Sequence, residues 1–287
     1  MKFWKKALCL VLTLALAAAL CGCGAFTPRM VMSMQKLTKL ESLHTDTTIT
    51  ADVTLTLLDQ ELPLTMEVRV AGDHQRTPAA NAFDVKFTVL DTEQHVLLCT
   101  EKEEDTLTVY TSWNNGEFWS RSTLEPEEKS EDDDTASSGS ADMLKIALGL
   151  AGLFEETGPV TLTLPDGAEA EGIGFEGKIP AEMVQEFLRS LELPEELPFK
   201  LDEEDLTLVG ELPVKLVLDK ADSMIRRVEL ELSPVLGDLT KQTLQKALEA
   251  YDLAGSGVSL AVNSIHTVTD LSDFDNVQVT VPEVPAD

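Results

Sequence analysis

Long stretches of strict apolar–polar alternation constrain this chain more than any other feature. In "TTITADVTLTLL" (47–58), Ile49, Ala51, Val53, Leu55 and Leu57 fall on one side, with threonine and aspartate on the other. "LPLTMEVRVAG" (62–72) repeats the pattern with Leu64, Met66, Val68 and Val70, and "FDVKFTVL" (83–90) with Phe83, Val85, Phe87 and Val89. Successive side chains of a strand point to opposite faces, so each stretch reads as a strand with one wet and one dry side. "TLTVYTSW-NNG-EFWSRS" (106–122) reads as a hairpin, Asn115-Gly116 supplying the positive φ angles of its turn. So many consecutive one-sided strands predict an antiparallel sheet covered on one face only.

What covers that face must be helical. Pro28 suits a first helical turn, and "PRMVMSMQKLTKLESL" separates Met30, Met34, Leu37 and Leu40 from its polar residues, which predicts a helix to about Ser42. Pro180 opens a second, whose stripe is Met183, Val184, Phe187, Leu188 and Leu191, ending before Pro194. "LTKQTLQKALEAY" (239–251) is a third, with Leu244, Ala247, Leu248 and Tyr251 on one face. Between Leu144 and Phe154, "LKIALGLAGLF" is apolar nearly all round but too short to span a bilayer, so it is expected to be a helix buried in the protein or lying over an apolar cavity. Further strands are predicted at "VTLTLP" (160–165), "AEGIGFEGKI" (170–179) and "VSLAVNSIHTV" (258–268). "LTLVGELPVKLVLD" (206–219) and "MIRRVELELS" (224–233) read as a hairpin around Lys220-Ala221-Asp222, and "NVQVTVP" (276–282) as a closing strand.

The first 22 residues read as an export leader. Lys2, Lys5 and Lys6 precede an apolar run from Ala7 to Leu20, of the length of a signal core rather than a membrane span. The run ends in Leu20-Cys21-Gly22-Cys23, which resembles the lipobox of bacterial lipoproteins. That resemblance implies that Cys23 becomes the first residue of the mature chain and carries diacylglycerol. The chain would then sit on the extracytoplasmic face of the cell membrane, held by a tether of four residues. Cys99 would be its only free thiol, read here as a small buried hydrophobe on a strand. Residues 23–287 are expected to form one domain, with the acidic low-complexity stretch 125–140 as a disordered loop.

A formal charge of −29, from 51 acidic and 22 basic residues, excludes nucleic acid and anionic head groups as favoured partners. Catalytic chemistry has no foothold either. His44, His74, His95 and His266 lack the spacing of a metal pair, and no nucleophile elbow, phosphate loop or dinucleotide fingerprint occurs. No enzyme activity, metal or cofactor is expected.

The leader, short helix, long strands, central helices and further strands follow one another in an order similar to Gram-positive lipoproteins of the LolA/LppX-like group. The local likeness lies in "LPVKLVLDKADSMIRRVELELS" (212–233) and "LSDFDNVQVTVPEV" (271–284). The resemblance implies an α+β fold, a strongly curved antiparallel half-barrel with helices packed on its concave face. It implies that a lipid or other apolar ligand occupies the space between them. Residues expected to line it are Val53, Leu55, Val68, Phe83 and Phe87 on strands, with Leu144, Ile146, Leu148, Leu150 and Phe154 on the apolar segment. The other reading is a structural lipoprotein with a filled core, docking an envelope protein through its acidic surface.

Overall fold

The computed structural model describes residues 26–124 except 59, 91, 104–105 and 114, and residues 153–284 except 164–166, 168, 191–202 and 251–256. The leader, Cys23 and the expected apolar helix up to residue 152 lie outside the described residues. Among the described residues, helix α1 (Phe26–Leu37) leads into β1 (Ser42–Leu57), β2 (Gln60–Gln75), β3 (Ala79–Val89), β4 (Thr92–Glu103), β5 (Thr106–Ser112) and β6 (Ser120–Leu124). Then follow β7 (Phe154–Thr163), β8 (Glu169–Ile179), α2 (Ala181–Ser190), the single turn α3 (Glu203–Leu206), β9 (Leu212–Asp219), β10 (Ile225–Glu231), α4 (Ser233–Ala250) and β11 (Val258–Ser272).

All the strands join one unclosed antiparallel sheet of 11, ordered β6-β5-β4-β3-β2-β1-β11-β10-β9-β8-β7. It is two sequential meanders sewn together by the first and last strands, which leaves β6 and β7 as the edges among the described residues. The sheet is strongly curved and its helices pack on the concave face: a half-barrel.

The second meander is filled. Leu212, Val214, Leu216, Leu218, Ile225, Val228, Leu230 and Phe175 share the inner face and are each at most 2% exposed. Met30 from α1, Val184 from α2 and Val235 from α4 complete this core. Burying each such side chain is worth about 1.5–3 kcal/mol against leaving it in water. Helix α1 is pinned at its middle, where the Ile225 N–H donates to the buried Ser33 Oγ at 3.1 Å. On the outer face a charge row crosses the seam: Arg69 holds Asp46, Asp46 lies opposite Asp270, and Asp270 holds Arg227.

Five expectations are corrected. Helix α1 stops at Leu37 rather than Ser42, because β1 begins at Ser42. Phe154 is the first residue of β7, not a helical residue, and its ring packs over Gly177, where an added Cβ would come within 2.8 Å of it. The stretch from Leu206 to Glu211 precedes the strand and includes the end of α3, while α4 starts six residues before the expected Leu239, at Ser233-Pro234. Finally, residues 276–282 alternate but form no strand. Both sides of β1 are already taken by β2 and β11, so the segment is tied by single bonds: Val277 N–H to Ser42 Oγ at 3.0 Å and Val279 N–H to Gln75 Oε1 at 2.8 Å.

Candidate ligand-binding face

The inner face of the first meander is built by register. Ile49 pairs with Val68, Val53 with Leu64 and Leu55 with Leu62, while Val68 faces Phe87 and Met66 faces Val89 on β3. Across the seam, Val53, Leu55 and Leu57 meet Val262, Leu260 and Val258 of β11. Odd residues of β1 and even residues of β2 therefore share one apolar surface with the filled core, since pairing places their side chains on the same side.

Coverage divides this surface. Phe83, Val85 and Val96 form a small buried cluster with Val68, Val70 and Leu98 against it. Toward the other end of the same strands, apolar side chains are left in water: Phe87 is 38% exposed, Val89 40%, Leu57 41% and Leu62 44%. Strand β3 ends opposite Met66, so the first residues of β2 have β1 on one side and no described strand on the other. Pro63, which can give no N–H to a ladder, sits in this stretch.

A groove adjoins the surface. Helix α4 packs against β11 and leaves a half-open cavity of about 250 Å3, lined by Leu244 and Leu248 of the helix and Val258 and Leu260 of the strand together with Lys241, Gln245, Glu249 and Ser259. Leu260 and Val258 are the residues that face Leu55 and Leu57, so groove and exposed strand face are continuous.

Five of the residues expected to line a ligand, Val53, Leu55, Val68, Phe83 and Phe87, do share this inner face. They differ in access. Val53 and Phe83 are buried at 5% and 9%, Leu55 and Val68 are half-buried, and Phe87 is open. Phe154 is 7% exposed within the filled core, away from the groove. Leu144, Ile146, Leu148 and Leu150 lie outside the described residues. The sequence reading missed Leu260 and Val258. Their alternation was visible, but which strand β11 would pair with was not.

Several polar groups near this surface pair with one another, while the buried Thr267 Oγ1, opposite Ile49, has no partner among the described residues. On the inner face His74 lies 3.0 Å from both Thr45 Oγ1 and Asn81 Oδ1, edge-on to Phe83, and burial holds its imidazole below the ordinary value of 6.5. On the outer face His44 sits 2.6 Å from Asp73, and His95 2.7 Å from Asp84. These pairs are cross-strand contacts that sequence spacing does not reveal. Cys99 is buried, and its thiol is pushed up to about 11, chiefly by burial, so it is held as the thiol rather than the thiolate at neutral pH.

No protein-family model and no curated protein sequence matches this chain. Solved structures similar to it include LprF from Mycobacterium bovis, at 14% identity over 89% of this chain and 95% of that one, with a TM-score of 0.39. A β-barrel-like protein of the family of unknown function DUF1849 from Brucella abortus is 9% identical over 81% of this chain and 97% of its own, at a TM-score of 0.25. A DUF1329 family protein from Desulfovibrio piger is 9% identical over 86% and 92%, at 0.13. At these scores the likeness is one of layout: in the run of its strands and helices the chain resembles LprF.

Proposed function

We propose that the chain is a membrane-anchored extracytoplasmic lipoprotein, held by diacylglycerol on Cys23, that binds a lipid or other apolar ligand on the bare half of its inner face. One observation carries the reading: a groove between α4 and β11, with Leu244, Leu248, Val258 and Leu260 as its apolar lining, opens onto an apolar strand face that the described helices do not cover. Large apolar side chains exposed in a contiguous patch support a binding surface over a filled core. Ligand would lie along Leu244, Leu248, Leu260, Leu55 and Leu57, with no bond made or broken. Phe87 and the half-buried Val68 would supply the remaining lining, with the buried Val53 and Phe83 backing them from within the sheet. The groove alone is smaller than the roughly 300–1,000 Å3 usual for ligand sites, so an acyl chain would extend from it over the strand face.

The test uses the chain from Gly24 onward, which keeps every described element. Native mass spectrometry is expected to find a co-purifying apolar molecule, and an apolar fluorescent probe should bind. Leu260→Trp, which fills the groove, should weaken probe binding at least about tenfold while the thermal midpoint holds. A clean apo mass with no probe uptake rejects the ligand reading in favour of a structural lipoprotein working through its acidic surface.

A further inference from the structure

The described apolar side chains that stay exposed are not scattered. Leu57, Leu58, Leu62, Phe87, Val89, Leu90, Trp113 and Phe118 all lie on the first meander, and only Met32 of the exposed set lies elsewhere. All eight stand at or next to the same end of the sheet, where β1 turns into β2, β3 into β4 and β5 into β6. Each of these three hairpin tips carries a large apolar side chain that is mostly exposed: Leu58 at 79%, Leu90 at 62%, and Trp113 and Phe118 at 70% and 75%. The turn at the other end of the same strands, from β2 to β3, shows Arg76, Thr77 and Pro78 instead.

Two of the tips are built alike. Leu-Asp links β1 to β2, and Leu-Asp again links β3 to β4, with the leucine at φ 49° in both. A two-residue hairpin turn of this kind favours Asn or Gly, because a branched side chain is strained in the left-handed region. A leucine kept there, and pointed at water, gains nothing for the fold.

The register also sets the tips on a line. Val89 lies opposite Met66, six residues into β2, and Ser112 lies opposite Leu97, five residues into β4. Flattened, consecutive tips are thus displaced by about 10 Å across the strands and about 20 and 17 Å along them, which makes them nearly collinear.

We infer that this crown of hairpin tips inserts into the interface of an uncharged lipid surface. Trp, Phe and Leu are the side chains that partition there. The acidic neighbours Glu61, Glu93 and Glu117 disfavour an anionic surface and are tolerated by zwitterionic head groups. A protein partner would need three separate pockets at those intervals, whereas lipid conforms to each tip. The contact does not depend on the ligand reading.

Flotation of the chain from Gly24 onward with phosphatidylcholine vesicles tests it. The chain should float, and raising salt should not release it. The fourfold variant Leu58→Asn, Leu90→Asn, Trp113→Ser, Phe118→Ser should lose at least about tenfold in partitioning. Leu58→Asn with Leu90→Asn alone should weaken flotation while the thermal midpoint stays level or rises, since Asn accepts the left-handed region. That separates lost docking from lost folding. No flotation of the parent chain, flotation unchanged in the fourfold variant, binding to anionic vesicles only, or self-association abolished by the same substitutions would each overturn the inference. Probe binding measured on the same samples reports on the groove separately, so either reading can fail without the other.

Discussion

His74 shows how a single side chain ties this fold to pH. It is inner-facing, hydrogen-bonded to Thr45 and Asn81, and burial is the largest influence on it, lowering its pKa below 6.5. The unfolded chain then takes up a proton near pH 6.5 that the folded chain still refuses, so the stability it contributes is present above that pH and is lost as pH falls below it. Wild type should therefore lose more stability between pH 7 and pH 5 than His74→Gln, measured by urea unfolding at each pH. Equal slopes would show that burial of this ring is not felt. Cys99 illustrates what residue-level reading does reach: a lone thiol on an alternating strand was expected to be buried, and it is 2% exposed. The pairing of His44 with Asp73 was out of reach, because it depends on which residues of β1 and β2 stand opposite one another.

At the level of elements, alternation located the long strands, while ends and short pieces followed tertiary demands. Residues 276–282 alternate as clearly as β3 does, yet β1, whose Ser42 holds them, already has a strand on each side. Phe154 ends an apolar run that looks helical, but Gly177 offers its ring a place on the sheet, and β7 starts there. The seam has its own logic. Asp46 and Asp270 stand directly opposite, an arrangement that destabilises a sheet unless each charge is matched. Arg227 grips Asp270 with two bonds of 2.6 and 2.8 Å, and Arg69 grips Asp46. Replacing Arg227 by Met should cost about 2 kcal/mol, the scale of removing one partner from a half-buried, doubly bonded pair. Charge repulsion makes the prediction specific: Arg227→Met combined with Asp270→Asn should recover most of the loss in denaturant titrations. A double variant as unstable as the single one would count against this account of the seam.

Across the whole molecule, the two meanders share one sheet but not one kind of interior. The second is packed by helices, and the first has a far end that no described helix covers. The one-sided sheet with helices on its concave face was legible from the periodicities of 2 and 3.6. The split between a filled half and an open half was not, because it rests on which strands the helices reach. Sheet order makes a testable statement about integrity. Residues 125–153 join β6 to β7, the two edges among the described residues, so a protease cut within 125–140 severs no described pairing. The two fragments should migrate together on a native gel and separate only in denaturant; fragments that part at once would show that the β1–β11 seam is insufficient to hold them.

That seam also decides how the molecule would bear load. Because β1 lies in the middle of the sheet, tension applied through the residues before Phe26 reaches the centre rather than an edge. Once α1 and its Ser33–Ile225 bond have yielded, it runs along β1, parallel to the 14 pairs that β1 makes with β11 and to its ladder with β2. Such a pull strains many hydrogen bonds at once instead of peeling them one by one, so the strand nearest the tether is also the hardest to extract.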